Sequence, residues 1–307
     1  MKKIYNNLVQ RKNAMGWPII ALIWVSIFWG TTWIASKEGV KYMPAFQLAG
    51  VRQLIAGLAY LLFFMVKKEA FPKGKQWRTI IILALLNFTL SNGLSTWGIK
   101  YISSGLGAII GAVFPLWIVI FTMIKGEKIK RNAIIGLLVC FGGILVIFNE
   151  YLSDFMNPNF TFGIILSVIS TITWAMGSIY TKEKASDYNP YFSLGWQLLI
   201  SSILILGVTT ATGEAVSILE IPLKSWLSIG YLVVFGSILT SLAFVYALQN
   251  LPTELSSIYA YINPIIAIIL GAIIFNEPLT WLLAIGGFIT LLGLYLVNQA
   301  LKKNKKG

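Results

Sequence analysis

The chain has 307 residues, 57% of them hydrophobic and 11% charged, with 24 Lys and Arg, 11 Asp and Glu and no histidine. Soluble domains carry about 25% charged residues, so this composition excludes an ordinary soluble enzyme and indicates a chain solvated by lipid. The net charge of +13 is no argument for nucleic acid, because the basic residues follow the ends of apolar runs.

Residues 1–16 form a basic segment with Lys2, Lys3, Arg11 and Lys12. The apolar run that follows from Trp17 reaches about 20 residues, the length needed to cross a bilayer. It ends in Trp33, Ile34, Ala35, Ser36 with no clean small-x-small cleavage site, so it is read as an uncleaved first span rather than a signal peptide. Spans are predicted at 17–36, 45–66, 78–98, 103–124, 131–148, 161–181, 191–211, 226–249, 255–275 and 279–297, followed by a basic tail at 299–307. The short loops leave no room for a soluble catalytic domain. Runs this long and uniformly apolar must satisfy their backbone internally as helices, not as barrel strands. The single cysteine, Cys140, lies inside span 5 and permits no internal disulfide.

The second five spans echo the first five. WGIKYISSGLGAIIGAVFPLWIVIFTMIKGEKI from residue 97 aligns with YALQNLPTELSSIYAYINPIIAIILGAIIFNEPL from residue 246 at an offset of 149, which places Pro115 on Pro264. One residue more brings Glu127 onto Glu277, Gly136 onto Gly286 and Gly143 onto Gly293; earlier, an offset of 145 brings Trp29 onto Trp174. A period this long is a duplicated domain, not a solenoid repeat. Five spans is an odd number, so the halves enter the membrane with opposite orientation. Such inverted repeats are typical of secondary transporters, with substrate bound between the halves near the midplane. The expected fold is therefore all-α, ten transmembrane helices in two inverted five-helix repeats at 17–148 and 161–298.

Nineteen basic residues flank one set of span ends and only Lys37, Lys41, Lys100 and Lys224 the other. The positive-inside rule then puts both termini in the cytoplasm. The lipid bilayer is the partner this pattern predicts, and nucleic acid is not. All eleven acidic residues map to loops or span ends. Hydrolytic and metal-dependent chemistry needs gathered carboxylates or imidazoles, so no catalytic residues, metal or cofactor are expected, nor a proton relay through a buried acid.

The segments FWGTTWIASKEGV and TWAMGSIYTKEK, the two proline-bearing helices that each lead to a Glu, and the glycine-rich GGFITLLG of the last span resemble the drug/metabolite transporter superfamily, EamA type. The resemblance spans both repeats, about residues 17–298. It implies a permease of the cytoplasmic (inner) membrane, often an exporter of amino acids and related metabolites, with a central cavity between the repeats.

Candidate substrate-binding residues follow from polar and aromatic groups repeating on helix faces. Trp29, Thr32, Trp33 and Ser36 share one face of span 1; Trp174, Gly177, Ser178 and Thr181 are their counterparts in span 6. Hydroxyls facing lipid are costly, so these stripes should face protein or a water-filled cavity. Asn87 and Ser91 in span 3, Thr240 in span 8, and Tyr259 and Asn263 beside Pro264 in span 9 complete the set. Each could instead serve helix packing. Pro115 and Pro264 are candidate hinges, since each ring displaces the carbonyl four residues earlier. Arg52 is the only formal charge well inside a span; it could snorkel to the interface or meet a substrate carboxylate. Glu127 and Glu277 are read as caps at the starts of spans 5 and 10, with Pro278 at a first helical position. Gly107, Gly111, Gly142, Gly143, Gly286 and Gly287 are read as sites of close helix contact.

A small neutral or zwitterionic, partly apolar substrate suits such a cavity. The competing readings are a membrane-embedded enzyme on lipid phosphates, which would need acidic metal ligands or basic clusters, and a non-transporting scaffold or sensor.

Overall fold

The computed structural model describes residues 2–126, 131–184, 189–251 and 259–302. Glu127 lies outside the described residues. Among those described, nine helices are long and apolar enough to cross a membrane: Gly16–Gly39, Ala45–Val66, Lys75–Gly98, Ser104–Ile124, Arg131–Glu150, Pro158–Thr181, Pro190–Ala211, Leu223–Ala247 and Trp281–Ala300. The shorter Tyr259–Phe275 takes the ninth place in chain order, so these are spans 1 to 10 with Trp281–Ala300 as the tenth. Span starts follow local chemistry. Ser103 accepts a hydrogen bond from Leu106 N at 3.1 Å, and Asn189 Oδ1 accepts from Tyr191 N at 3.0 Å ahead of Pro190, satisfying amides that an open helix end leaves bare. Span 10 begins later than its sequence suggests. Pro278 is not helical, and Thr280 Oγ1 caps the helix by accepting from Leu283 N at 3.1 Å.

The two halves pack through repeat-equivalent helices, span 5 along span 10 and span 2 along span 7. Small residues set the first of these seams. A methyl group on Gly136 would lie 2.8 Å from Gly293 O, and one on Gly143 would lie 2.6 Å from Gly286 O. Gly293 is the counterpart of Gly143, and Gly286 of Gly136. Each position therefore meets the partner of the other, an isologous contact that arises only when the halves are related by a two-fold axis. That axis is the structural form of the inverted repeat. Gly142 and Gly287, one residue round the helix, make no such approach: nothing lies within 4 Å of a methyl group on Gly142, and only Ile109 Cδ1, at 3.9 Å, near one on Gly287.

The largest of three apolar clusters draws on both halves, with Leu48, Ile99 and Leu106 of the first packed with Leu198, Ile229 and Leu232 of the second. Large apolar side chains such as Leu62, Leu138, Leu145 and Phe288 point outward, as lipid solvation requires.

Candidate substrate site between the repeats

The centre of the bundle is shaped by two interruptions of ordinary α-helix. Ala84–Asn92 in span 3 and Leu232–Leu239 in span 8 are π-helical, and at the 149-residue offset they occupy equivalent places. A π turn widens the helix and re-aims its carbonyls, which is why such segments recur at functional sites. Side chains from spans 1 and 2 take those carbonyls up. Trp29 Nε1 donates to Gly236 O at 3.1 Å, Tyr60 Oη donates to Ile238 O at 3.1 Å, and Gln53 Nε2 donates to Phe88 O at 3.3 Å and to Asn92 Oδ1 at 3.1 Å. The sequence carries no local signal for either segment.

Arg52 does not snorkel. Its side chain is 8% exposed and turns into the bundle, where Nε donates to Ser237 Oγ at 2.8 Å. A methyl group on Gly236 would lie 3.2 Å from Arg52 Nη2 and 3.0 Å from Thr32 Cγ2. The bare backbone of span 8 thus lets the guanidinium and Thr32 come close.

Trp29 joins a cluster of aromatic rings drawn from both repeats. Its ring lies 6.5 Å from Trp174 in an edge-on arrangement, 5.2 Å from Tyr259 and 4.9 Å from Phe244, and Phe114 stacks on Tyr259 at 6.4 Å. Spans 1, 4, 6, 8 and 9 meet here. Phe114 and Phe244 were not among the expected residues, because a phenylalanine in an apolar run carries no periodic polar mark.

The remaining candidates divide. Asn263 bridges span 9 to span 1: with its amide oriented to satisfy both groups, Nδ2 donates to Ser26 O at 2.6 Å and Tyr259 O at 3.0 Å. Asn87 sits against Gly177, its Oδ1 buried without a hydrogen-bond partner. Ser91 is buried beside it on the same π segment. Thr240 is fully buried and accepts from Trp24 Nε1 at 3.2 Å. Two depart from the central group. Ser178 Oγ donates to its own helix at Trp174 O, 2.7 Å away. Trp33 packs against span 4, its ring 3.0 Å from a methyl group on Gly107 and 2.9 Å from one on Gly111, so those glycines seat an indole rather than a helix backbone. The prolines differ as well. Val113 and Pro115 divide span 4 into Ser104–Ala112 and Phe114–Ile124, whereas Pro264 lies inside an unbroken Tyr259–Phe275.

The lysine-poor face carries a mouth of about 690 Å³ lined by Lys37, Lys41, Tyr101, Asp154, Asn157 and Glu277 among others. Glu277 does not cap span 10. Its carboxylate crosses to the other repeat and accepts from Ser104 N at 2.7 Å, Ser104 Oγ at 2.6 Å and Gly105 N at 3.4 Å, so it caps span 4. A side chain on Gly271 would occupy the place of that carboxylate. Lys37 Nζ donates nearby to Ile99 O at 2.9 Å and to Ile102 O.

Known proteins place this architecture. A solved crystal structure with 14% identity superposes with a TM-score of 0.66 over 94% of this chain and 99% of its own, a likeness of fold. The uncharacterized inner membrane transporter YedA of Escherichia coli K12 is 29% identical over 261 residues, covering 85% of this chain and 83% of its own. The uncharacterized transporter YvbV of Bacillus subtilis is 28% identical over 287 residues, 93% of each chain. The WAT1-related protein At3g02690, chloroplastic, of Arabidopsis thaliana is 28% identical over 280 residues, 88% of this chain and 67% of its own. These names and the matched family point to transporters rather than enzymes. The EamA-like transporter family matches residues 16–149 and again 161–299, one match for each five-helix repeat, and the chain, a multi-pass membrane transporter, belongs to that family.

Proposed function

We propose that this transporter carries a small neutral or zwitterionic metabolite, an amino acid or a related compound, out of the cell by alternating access. The observation that carries the reading is the meeting of Trp29, Trp174, Phe244 and Tyr259, contributed by both repeats, next to π-helical carbonyls and buried hydroxyls. Aromatic faces accept an apolar or cationic substrate group, and the polar groups fix its orientation. A site built from both halves is the one that a rocking motion of one half against the other exposes alternately. The break at Val113 and Pro115 supplies a hinge in span 4. The nineteen-to-four placement of basic residues supports cytoplasmic termini in the cytoplasmic membrane.

The test is counterflow of labelled amino acids in proteoliposomes. Trp29→Ala, Trp174→Ala and Asn263→Ala are each expected to cut the rate by about ten-fold or more, since each removes packing or hydrogen bonds from the centre. All three should still insert and elute as folded protein. Wild-type rates in all three variants would remove this cluster from the transport path.

A further inference from the structure

Arg52 is a charge with no counter-ion. It is the eighth residue of Ala45–Val66, and the ion pair formed among the described residues, Lys41 with Glu38, joins residues at the end of Gly16–Gly39 and just beyond it. Ser237 Oγ satisfies Nε. No protein acceptor among the described residues meets Nη1 or Nη2, and the residue as a whole is 8% exposed. A buried guanidinium without a partner is strongly destabilising, and an ionised group inside a membrane bundle marks a site unless something pairs with it. The fold accommodates this charge at a specific place. Gly236 sets bare backbone against it, where a Cβ would stand 3.2 Å from Nη2 and 3.0 Å from Thr32 Cγ2, and the Gly236 carbonyl accepts from Trp29 Nε1 at 3.1 Å. The two free Nη groups present the planar fork that matches a carboxylate.

We infer that Arg52 is the anchor for the carboxylate of the transported molecule, held through Nη1 and Nη2 beside Gly236, with the substrate's remainder against the Trp29 face. This rests on the carrier reading above and narrows it to substrates that bear a carboxylate. The bound pair is neutral at the guanidinium, so substrate occupancy removes the uncompensated charge from the bundle. The charge favours the loaded carrier over the empty one during reorientation.

The experiment is phenylglyoxal labelling of the purified full-length chain in detergent, read by mass spectrometry at Arg52 with exposed Arg78 and Arg131 as internal references. The twenty L-amino acids are added singly, each against its α-carboxamide. At least one amino acid is expected to slow Arg52 labelling by roughly five-fold or more through mass-action protection, with the references unchanged and its carboxamide without effect. Counterflow of that amino acid should fall by about ten-fold or more in Arg52→Gln, with Arg52→Lys between it and the wild type. Equal protection by acid and amide, no protection by any carboxylate, an Arg52 inert to the reagent, or full counterflow in Arg52→Gln would each overturn the assignment. Carboxylate-specific protection without counterflow would keep the anion site and overturn the carrier reading instead.

Discussion

Glu277 ties the loop between spans 9 and 10 to the first turn of span 4 through hydrogen bonds at 2.7 Å and 2.6 Å. Bonds to an ionised acceptor outweigh neutral ones, and both amide and hydroxyl would be stranded without it. Glu277→Gln is expected to lower stability by about 1–3 kcal/mol, read as a lower thermal midpoint in detergent, and Ser104→Ala by less because the Ser104 amide keeps its acceptor. Equal midpoints for both variants and the wild type would show that this crossing bond contributes nothing. Sequence position had assigned Glu277 to the helix that follows it. The carboxylate instead serves a helix of the opposite repeat some 170 residues away, a pairing that local spacing cannot reveal. Trp33 and Ser178 teach the same limit: their spacing on the helix face matches that of Trp29 and Trp174, yet one packs on Gly107 and Gly111 and the other bonds to its own helix.

Apolar length and the repeat made the spans legible, because lipid solvation leaves little choice of element. The interior details of the helices were not legible. The π segments in spans 3 and 8 exist where side chains of spans 1 and 2 claim their carbonyls, as Trp29 and Tyr60 do at Gly236 and Ile238, so their cause is tertiary. Likewise Pro115 and Pro264 are equivalent in sequence, but only the first accompanies a break in its helix. Glycines in span 5 offer a sharp test at this scale. A methyl group on Gly143 would strike span 10 backbone, 2.6 Å from Gly286 O, while one on Gly142 meets nothing within 4 Å. Gly143→Ala is therefore expected to destabilise by about 1–3 kcal/mol through overpacking, and Gly142→Ala to be neutral or slightly stabilising. The adjacent pair, compared by thermal unfolding, separates backbone contact from mere glycine content; matching midpoints would contradict the seam.

For the whole molecule, what drives transport depends on which groups can change charge. No histidine occurs in the chain, and among the described residues the acidic side chains lie in loops or the last turns of helices. Arg52 stays protonated at physiological pH. With no acidic or imidazole side chain inside a described span, proton coupling of the common kind is not expected, and net flux should follow the substrate's own gradient. Uptake into proteoliposomes at clamped potential is the check: accumulation above the external concentration under an imposed pH or Na⁺ gradient would overturn this expectation. The seam between spans 5 and 10, where Gly136 meets Gly293 and Gly143 meets Gly286, bears on history as well as mechanics. Because the contact maps onto itself under a half-turn, it is the kind of contact by which two separate copies of one five-helix unit, inserted opposite ways up, would pair. Packing of that kind is blind to which face looks into the cell. By the positive-inside rule the basic residues at the span ends are expected to break the tie, so a handful of charge substitutions in the loops should steer the insertion of a duplicated unit without touching its interior.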